Sequence, residues 1–163
     1  YLFSCIFEIE QRFFSKKLGL RFMKEDGLFD LTFSSAENIK EIKYLYRGKE
    51  NSFNIEEQFY PTSYDIIIEI ENNPSSSWQE MAKLTWVNCP LKVLVTYYNK
   101  DKNDLESDIL VHNFSNIIKN CNSKFQENNK TEYLLLIGRI ENDKLIWDSF
   151  IFNTQGNEID KNI

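Results

Sequence analysis

Polar residues alternate with apolar ones in the middle of the chain, and this pattern predicts two consecutive strands. Between Phe53 and Phe59 a polar side chain occupies almost every second position, as in a strand with one apolar face. Turn-forming residues follow at 61–63, and the β-branched run from Ile66 to Ile70 predicts a second strand over 64–71. A β-hairpin is the simplest prediction for residues 53–71.

The same reasoning predicts elements over most of the chain. Apolar residues at helical spacing indicate helices over 3–17, 78–87 and 105–125, and Ser34 with Glu37 forms a capping box for a fourth helix over 38–46. Residues 28–33 and 91–98 have the composition of strands, and the second is apolar enough to be buried on both faces beside a parallel neighbour. Residues 133–140 and 145–152 predict an antiparallel pair.

This order of elements predicts an α/β fold with a mixed central β-sheet flanked by helices. A chain of 163 residues with 42% hydrophobic content suits one domain, which we expect over residues 1–153, followed by a polar C-terminal tail over 154–163.

Composition limits the classes of function. No apolar run reaches the roughly 18 residues that a membrane span requires, so we expect no membrane partner. Cys5, Cys89 and Cys121 have no metal or redox spacing, which favours reduced thiols and a cytoplasmic protein. A single histidine, His112, makes histidine-rich metal sites impossible. The net charge of −6 weighs against binding nucleic acid by bulk electrostatics, although a local basic groove can exist on an acidic protein.

Strand 64–71 carries the best candidates for chemistry. With a side-chain period of two, Asp65, Glu69 and Glu71 share one face. Glu69 and Glu71 would be about 7 Å apart along the strand, at roughly 3.3 Å per residue, and Asp65 would be farther away. Two carboxylates at that spacing can reach one hard divalent cation. The structural alternative is a solvated strand face, because a half-exposed strand has the same alternation.

The predicted hairpin adds a third acid. If Thr62 and Ser63 form its loop, Glu56 lies opposite Glu69 on the same face. A shift of one residue in the register would substitute Glu57.

Three sequence segments resemble a known superfamily. The stretches IEIEN, SWQEMAKL and CPLKVLVTYY follow one another between Tyr64 and Tyr98. They resemble the ExEN-type members of the PD-(D/E)XK, or restriction endonuclease-like, nuclease superfamily, in which such a strand precedes a helix and a buried strand. The resemblance covers about 30 residues closely, and elsewhere only the order of elements is similar.

The resemblance implies roles for several residues. Glu69 corresponds to the first acid of the superfamily motif, and Glu71 occupies the position of the usual lysine. A glutamate cannot supply the positive charge of that lysine. Lys83 or Gln79, four residues apart on the following helix, is therefore the expected substitute.

Two further acids complete the implied site. No PD dipeptide precedes the motif strand, so Glu56 stands in for the superfamily's aspartate. Glu10 lies within the apolar stripe of the predicted first helix and matches the acid that the superfamily often carries there. The structural alternatives are an ordinary surface lysine at Lys83 and a locally paired glutamate at Glu10.

Two functions follow from the resemblance. The first is a hydrolase, a Mg²⁺- or Mn²⁺-dependent nuclease that cleaves DNA or, less favoured, RNA, with Glu56, Glu69, Glu71 and Glu10 as metal ligands. The second is a non-catalytic binding or regulatory protein that keeps a nuclease-like fold, which the missing PD, the displaced lysine and the acidic charge favour. A homodimer is compatible with both.

Overall fold

The computed structural model describes residues 20–26, 29–47, 53–98, 107–122, 131–142 and 144–159. In chain order the strands and helices are β1 (Leu20–Asp26), β2 (Phe29–Ser35), β3 (Ile39–Arg47), β4 (Phe53–Pro61), β5 (Ile66–Glu71), α1 (Ser77–Thr85), β6 (Leu91–Tyr98), α2 (Ser107–Asn122), β7 (Glu132–Glu141) and β8 (Lys144–Phe152). The predicted helix over 3–17, and with it Glu10, lies outside the described residues.

Six strands form a sheet in the order β1-β2-β5-β6-β7-β8. Strand β6 is parallel to both β5 and β7, whereas β8 is antiparallel to β7. The α/β class, the mixed sheet and the predicted parallel neighbours of the buried strand 91–98 are therefore confirmed.

Residue contacts divide the chain into two compact units. One comprises Tyr1–Phe22 and Phe33–Tyr64, and the other comprises Met23–Thr32 and Asp65–Ile163. The first unit contains a two-stranded antiparallel ribbon of β3 and β4. The second contains β5 to β8 and both helices, and the prediction of one domain over 1–153 stays a prediction beside this division.

The predicted hairpin of 53–71 is wrong, although both of its strands exist. Strand β4 pairs with β3, and Tyr44 is the Cα partner of Glu56. The alternating pattern of β4 is compatible with pairing to β3 or to β5, and residues 39–47, rich in β-branched and aromatic side chains, provide its antiparallel partner. The hairpin therefore gives no reason to place Glu56 or Glu57 opposite Glu69.

The predicted helix over 38–46 is also wrong, because its residues form β3. The capping box is not made: the Ser34 hydroxyl donates a hydrogen bond of 2.8 Å to the carbonyl of Ser63, and Glu37 belongs to a short 3-10 helix over Ala36–Asn38. The Asn38 carbonyl then accepts the Thr62 backbone N–H at 2.7 Å, which closes the base of the ribbon. The β-branched and aromatic residues of 39–46 suit a strand once a partner is present.

The two parallel crossovers, β5-α1-β6 and β6-α2-β7, run in the same direction along the sheet. Right-handed crossovers in one direction place both helices on the same face. That face is fully covered, because Ile67, Lys92 and Tyr133 have no exposed surface and Leu94 and Leu135 are 1% exposed. The neighbouring residues Val95, Leu134 and Leu136, which point the other way, are partly exposed.

Among the described residues, no helix is long and apolar enough to cross a membrane.

Candidate functional site

Glu69 lies on the helix-covered face of β5, near the carboxyl end of the strand. Its side chain is 1% exposed, and its Cα partner on β6, Leu94, is apolar. An unpaired carboxylate in such a place would be costly, so its surroundings decide its protonation and its role. Glu71 follows two residues later on the same face and is only half-buried.

Helix α1 supplies the partner of Glu69. The ammonium group of Lys83 lies 2.8 Å from Glu69 Oε1 and 2.5 Å from Glu80 Oε2. Met81 and Leu84 are fully buried on either side of Lys83, which fixes this turn of α1 against the sheet. Lys83 is therefore a cation shared by two carboxyl groups: the contact with Glu80 is the local pairing of a helix lysine, and the contact with Glu69 goes beyond it.

Asp30 on β2 is the second acid near Glu69. Its Oδ2 accepts the backbone N–H of Ile70 at 2.8 Å, so this carboxylate lies against β5 one residue beyond Glu69. The negative charge of Asp30 contributes to the raised pKa of Glu69, after the larger effect of burial. Our sequence analysis did not single out Asp30. The available signal was an acid inside the apolar strand sequence FDLTF.

Burial dominates the electrostatics of the cluster. Burial raises the pKa of Glu69 to about 8, although the Lys83 ammonium opposes the shift. Burial acts to lower the pKa of Lys83, but Glu69 and Glu80 outweigh it and the pKa of the lysine is raised. Near neutral pH, Lys83 is charged and Glu69 is largely protonated.

Two buried hydroxyl groups lie on the strands beside β5: Thr96 shares the face of Glu69, whereas Thr32 points to the opposite face from Phe29, whose ring lies beneath Lys83. Thr96 is the Cα partner of Glu71 on β6, and Thr32 lies two residues after Asp30 on β2. Both side chains have no exposed surface, and neither hydroxyl oxygen has a hydrogen-bond partner among the described residues. Buried hydroxyl groups usually have a partner, so these two are available to a bound water or ligand.

The other residues of the predicted site contribute differently. Glu71 Oε1 accepts the backbone N–H of Asn73 at 2.7 Å, which ties it to the loop before α1. Gln79 is exposed, and no hydrogen bond joins its side chain to Glu69 within the described chain. Across the described segments, no group of three or more His, Cys, Asp or Glu side chains is placed to hold a metal ion.

The structure therefore brings together Asp30, Glu69, Glu80 and Lys83 from β2, β5 and α1. Glu69 and Lys83 were both candidates from the sequence, and their contact is direct. Neither a protein-family model, nor a curated protein, nor a solved structure matches the chain.

Proposed function

We propose that the chain is a Mg²⁺- or Mn²⁺-dependent phosphodiesterase that cleaves DNA, with Asp30 and Glu69 as its metal-binding acids. The observation that carries the proposal is the 2.8 Å contact between the Lys83 ammonium and the buried Glu69 carboxyl group. An acid on a central strand, a second acid on the adjacent strand and a lysine make up the functional group of the resembled nucleases. In this chain Glu71 occupies the position of the usual motif lysine, and Lys83 on α1 would take the place of that lysine.

The donor set suits a magnesium ion that retains part of its water. Mg²⁺ is commonly held by one or two carboxylates together with waters and substrate phosphates. Asp30 and Glu69 provide two carboxylates, and the Thr96 hydroxyl, on the same sheet face as Glu69, is without a partner among the described residues. When bound, the cation would act as a Lewis acid: it would lower the pKa of its bound water and neutralise negative charge on the phosphate.

The protein's own residues would perform two tasks. The Lys83 ammonium has three N–H donors and lies within 2.8 Å of the Glu69 and Glu80 carboxyl oxygens. Its positive charge would stabilise the negative charge that develops on an attacked phosphate. Glu80, at 2.5 Å, would keep Lys83 positioned if Glu69 held a cation.

Protonation couples the site to pH. Because the pKa of Glu69 is raised to about 8, binding a cation near pH 7 must release its proton. Metal affinity should therefore increase as the pH rises through neutrality toward that pKa.

A non-catalytic binding protein is the second candidate. Two observations favour it: no group of three metal-binding side chains forms within the described part, and Lys83 by itself already provides a partner for Glu69. The net charge of −6 also weighs against tight binding of nucleic acid.

The decisive experiment measures thermal stability and DNA cleavage together. Wild-type protein should gain melting temperature on addition of Mn²⁺, because a ligand that binds only the folded state stabilises it, and should cleave plasmid or single-stranded DNA. Glu69→Gln and Asp30→Asn should lose both effects. The matched control is Glu132→Gln, which neutralises an exposed carboxylate at the start of β7, whereas Glu69 lies near the carboxyl end of β5.

The two readouts separate the candidate functions. A wild-type protein that shows neither a Mn²⁺-dependent shift nor cleavage contradicts the phosphodiesterase and leaves the binding protein. A shift without cleavage, abolished by Glu69→Gln, would establish a metal-binding protein that lacks the activity.

A further inference from the structure

Strand β8 forms one edge of the six-stranded sheet, and part of that edge has backbone groups that pair with no other described residue. The Ile151 carbonyl accepts the backbone N–H of Ile159 at 2.7 Å, and Phe152 forms a bridge with Glu158. The chain after β8 therefore folds back and covers the Ile151 end of the edge. Within the described residues, nothing pairs with the outer side of β8 between Lys144 and Phe150.

The outward-pointing backbone groups can be identified from that bond. In an antiparallel ladder, the N–H and C=O of one residue point to the same side, and the side alternates along the strand. The Ile151 carbonyl points away from β7, so the backbone groups of Ser149, Trp147 and Leu145 point away from β7 as well. These residues present both hydrogen-bonding groups to another strand.

The side chains near this edge form an exposed apolar patch on the face opposite the helices. Ile140 is the Cα partner of Leu145, and Trp147 is the partner of Gly138. Ile140 is 74% exposed, Leu145 39% and Trp147 37%. Trp147 also packs against Tyr97, with ring centroids 5.3 Å apart, so the patch has a rigid aromatic anchor.

We propose that β8 pairs with β8 of a second copy of this chain to form an antiparallel dimer with one continuous sheet. Residues whose backbone groups point away from β7 must lie opposite residues of the same kind in the second copy, and this restricts the register. In the favoured register Ile146 pairs with Ile146 of the second copy, so that Leu145 meets Trp147 and Lys144 meets Asp148. The dimer then has four backbone hydrogen bonds from Leu145 and Trp147, two oppositely charged pairs and a shared apolar patch.

Charge complementarity selects this register among its neighbours. A shift of one step in either direction would place Ile146 opposite Lys144 or Asp148, so that a charge faces an apolar side chain. A larger shift would place Asp148 opposite Asp148, and like charges directly across a sheet are unfavourable. Arg139 Nε donates to Asp148 Oδ2 at 2.7 Å, which leaves Oδ1 for Lys144 of the second copy.

The oligomeric state tests the proposal directly. Wild-type protein should sediment as a dimer at micromolar concentration. Lys144→Glu should raise the dimer dissociation constant by about tenfold or more, because two attractive pairs become repulsive. The matched control is Lys40→Glu, the same charge reversal at an exposed lysine of β3, which should leave the dimer unchanged.

A cysteine substitution tests the register separately. Ile146 points its backbone groups toward β7, so the two copies of Ile146 form a non-hydrogen-bonded pair with Cα atoms about 4.5 Å apart, within reach of a disulfide. Ile146→Cys should give a covalent dimer on mild oxidation, whereas Ser149→Cys, farther from the two-fold axis, should not exceed the wild-type background. A monomeric wild type, or a dimer that Lys144→Glu leaves intact and Ile146→Cys does not cross-link, would overturn the proposal.

Discussion

Lys83 contacts two carboxyl groups that differ in exposure. Glu69 is 1% exposed, whereas the side chains of Glu80 and Lys83 are both 23% exposed. The desolvation cost therefore falls mainly on Glu69, and its proton is the one that the fold retains at neutral pH. Glu69, whose pKa is strongly perturbed, is thus also the centre of the proposed site, as is common for functional groups.

The raised pKa of Glu69 has a consequence for stability. Between pH 4.5 and 8 the folded state retains a proton that the unfolded state loses, so this group lowers the free energy of unfolding as the pH rises through that window. We predict that Glu69→Gln removes this pH-dependent fall in the free energy of unfolding. The variant should therefore be more stable than the wild type at pH 8, by up to about 4 kcal/mol. The two proteins should be nearly equal in stability at a pH below 4.5.

Urea denaturation across this pH window measures the difference. Glu132→Gln is again the control, since an exposed carboxylate should leave the pH profile unchanged. A Glu69→Gln variant that is less stable than the wild type at pH 8 would show that the ion pair with Lys83 outweighs the cost of burial.

A second prediction concerns Lys83 itself. Lys83→Met removes the cation that opposes the pKa shift of Glu69, so the pKa of this carboxyl group should rise further above 8. We expect the free energy of unfolding to fall by about 1–2 kcal/mol near neutral pH, a limited loss because Glu69 can remain protonated. In alkaline solution the loss of stability should be larger.

A double-mutant cycle with Glu69→Gln measures the coupling. If the two side chains interact as the 2.8 Å contact indicates, the Lys83→Met penalty in alkaline solution should shrink in the Glu69→Gln background. Equal penalties in both backgrounds would contradict a direct interaction. DNA cleavage, if present in the wild type, should be lost in Lys83→Met even where the fold is intact.

At the scale of elements, the segment after β8 is joined to α2 at a position that requires glycine. Gly156 has a φ of 74°, and an added Cβ would collide with the Ser115 carbonyl oxygen. The Ser115 hydroxyl in turn donates a hydrogen bond of 2.6 Å to the Gly156 carbonyl. These contacts hold the segment that covers the Ile151 end of β8.

We therefore predict that Gly156→Ala lowers the free energy of unfolding by about 2 kcal/mol or more, because it combines a left-handed backbone with a steric clash. Thermal denaturation measures the loss. Gln155→Ala, at an exposed neighbour that donates its backbone N–H to Asn153, should change the melting temperature little. Similar stability of the two variants would mean that this segment detaches at little cost.

At the scale of the whole molecule, the contacts between strands lead to a prediction about the metal site, because Asp30 is bonded to β5 whereas β4 pairs with β3. Asp30, Glu69 and Lys83 all belong to the unit that contains Met23–Thr32 and Asp65–Ile163, whereas Glu56 and Glu57 belong to the β3–β4 ribbon of the other. We predict that the double variant Glu56→Gln, Glu57→Gln keeps the Mn²⁺-dependent rise in melting temperature and that Asp30→Asn loses it.

The comparison is matched, because both variants replace carboxylates by amides of the same shape. In Asp30→Asn the new amide oxygen can still accept the Ile70 N–H, so the β2–β5 contact should survive. Loss of the Mn²⁺ effect in the ribbon variant would restore Glu56 or Glu57 as a ligand.

Local pattern was sufficient for the elements whose partners follow directly in the chain. Two apolar stretches, 133–140 and 145–152, around a polar turn predicted the β7–β8 pair, and the apolar run 91–98 predicted a strand with parallel neighbours. The same local reasoning failed at 38–46, where the Ser34 and Glu37 capping box predicted a helix but β4 provides a pairing partner. The pairing of β3 with β4 decided that choice.

Sequence by itself determined that Glu69 and Glu71 share a strand face and that Lys83 lies on the helix that follows, because the side-chain periods of strands and helices are local properties. Only the tertiary structure decided which side chains surround Glu69. Asp30 reaches it through the adjacency of β2 and β5, strands separated in the chain by the whole β3–β4 ribbon, and the period-two pattern of β2 is compatible with many partners. The raised pKa of Glu69 likewise depends on burial beneath α1, which brings Lys83 to the carboxyl group but excludes the water that would otherwise stabilise its charge.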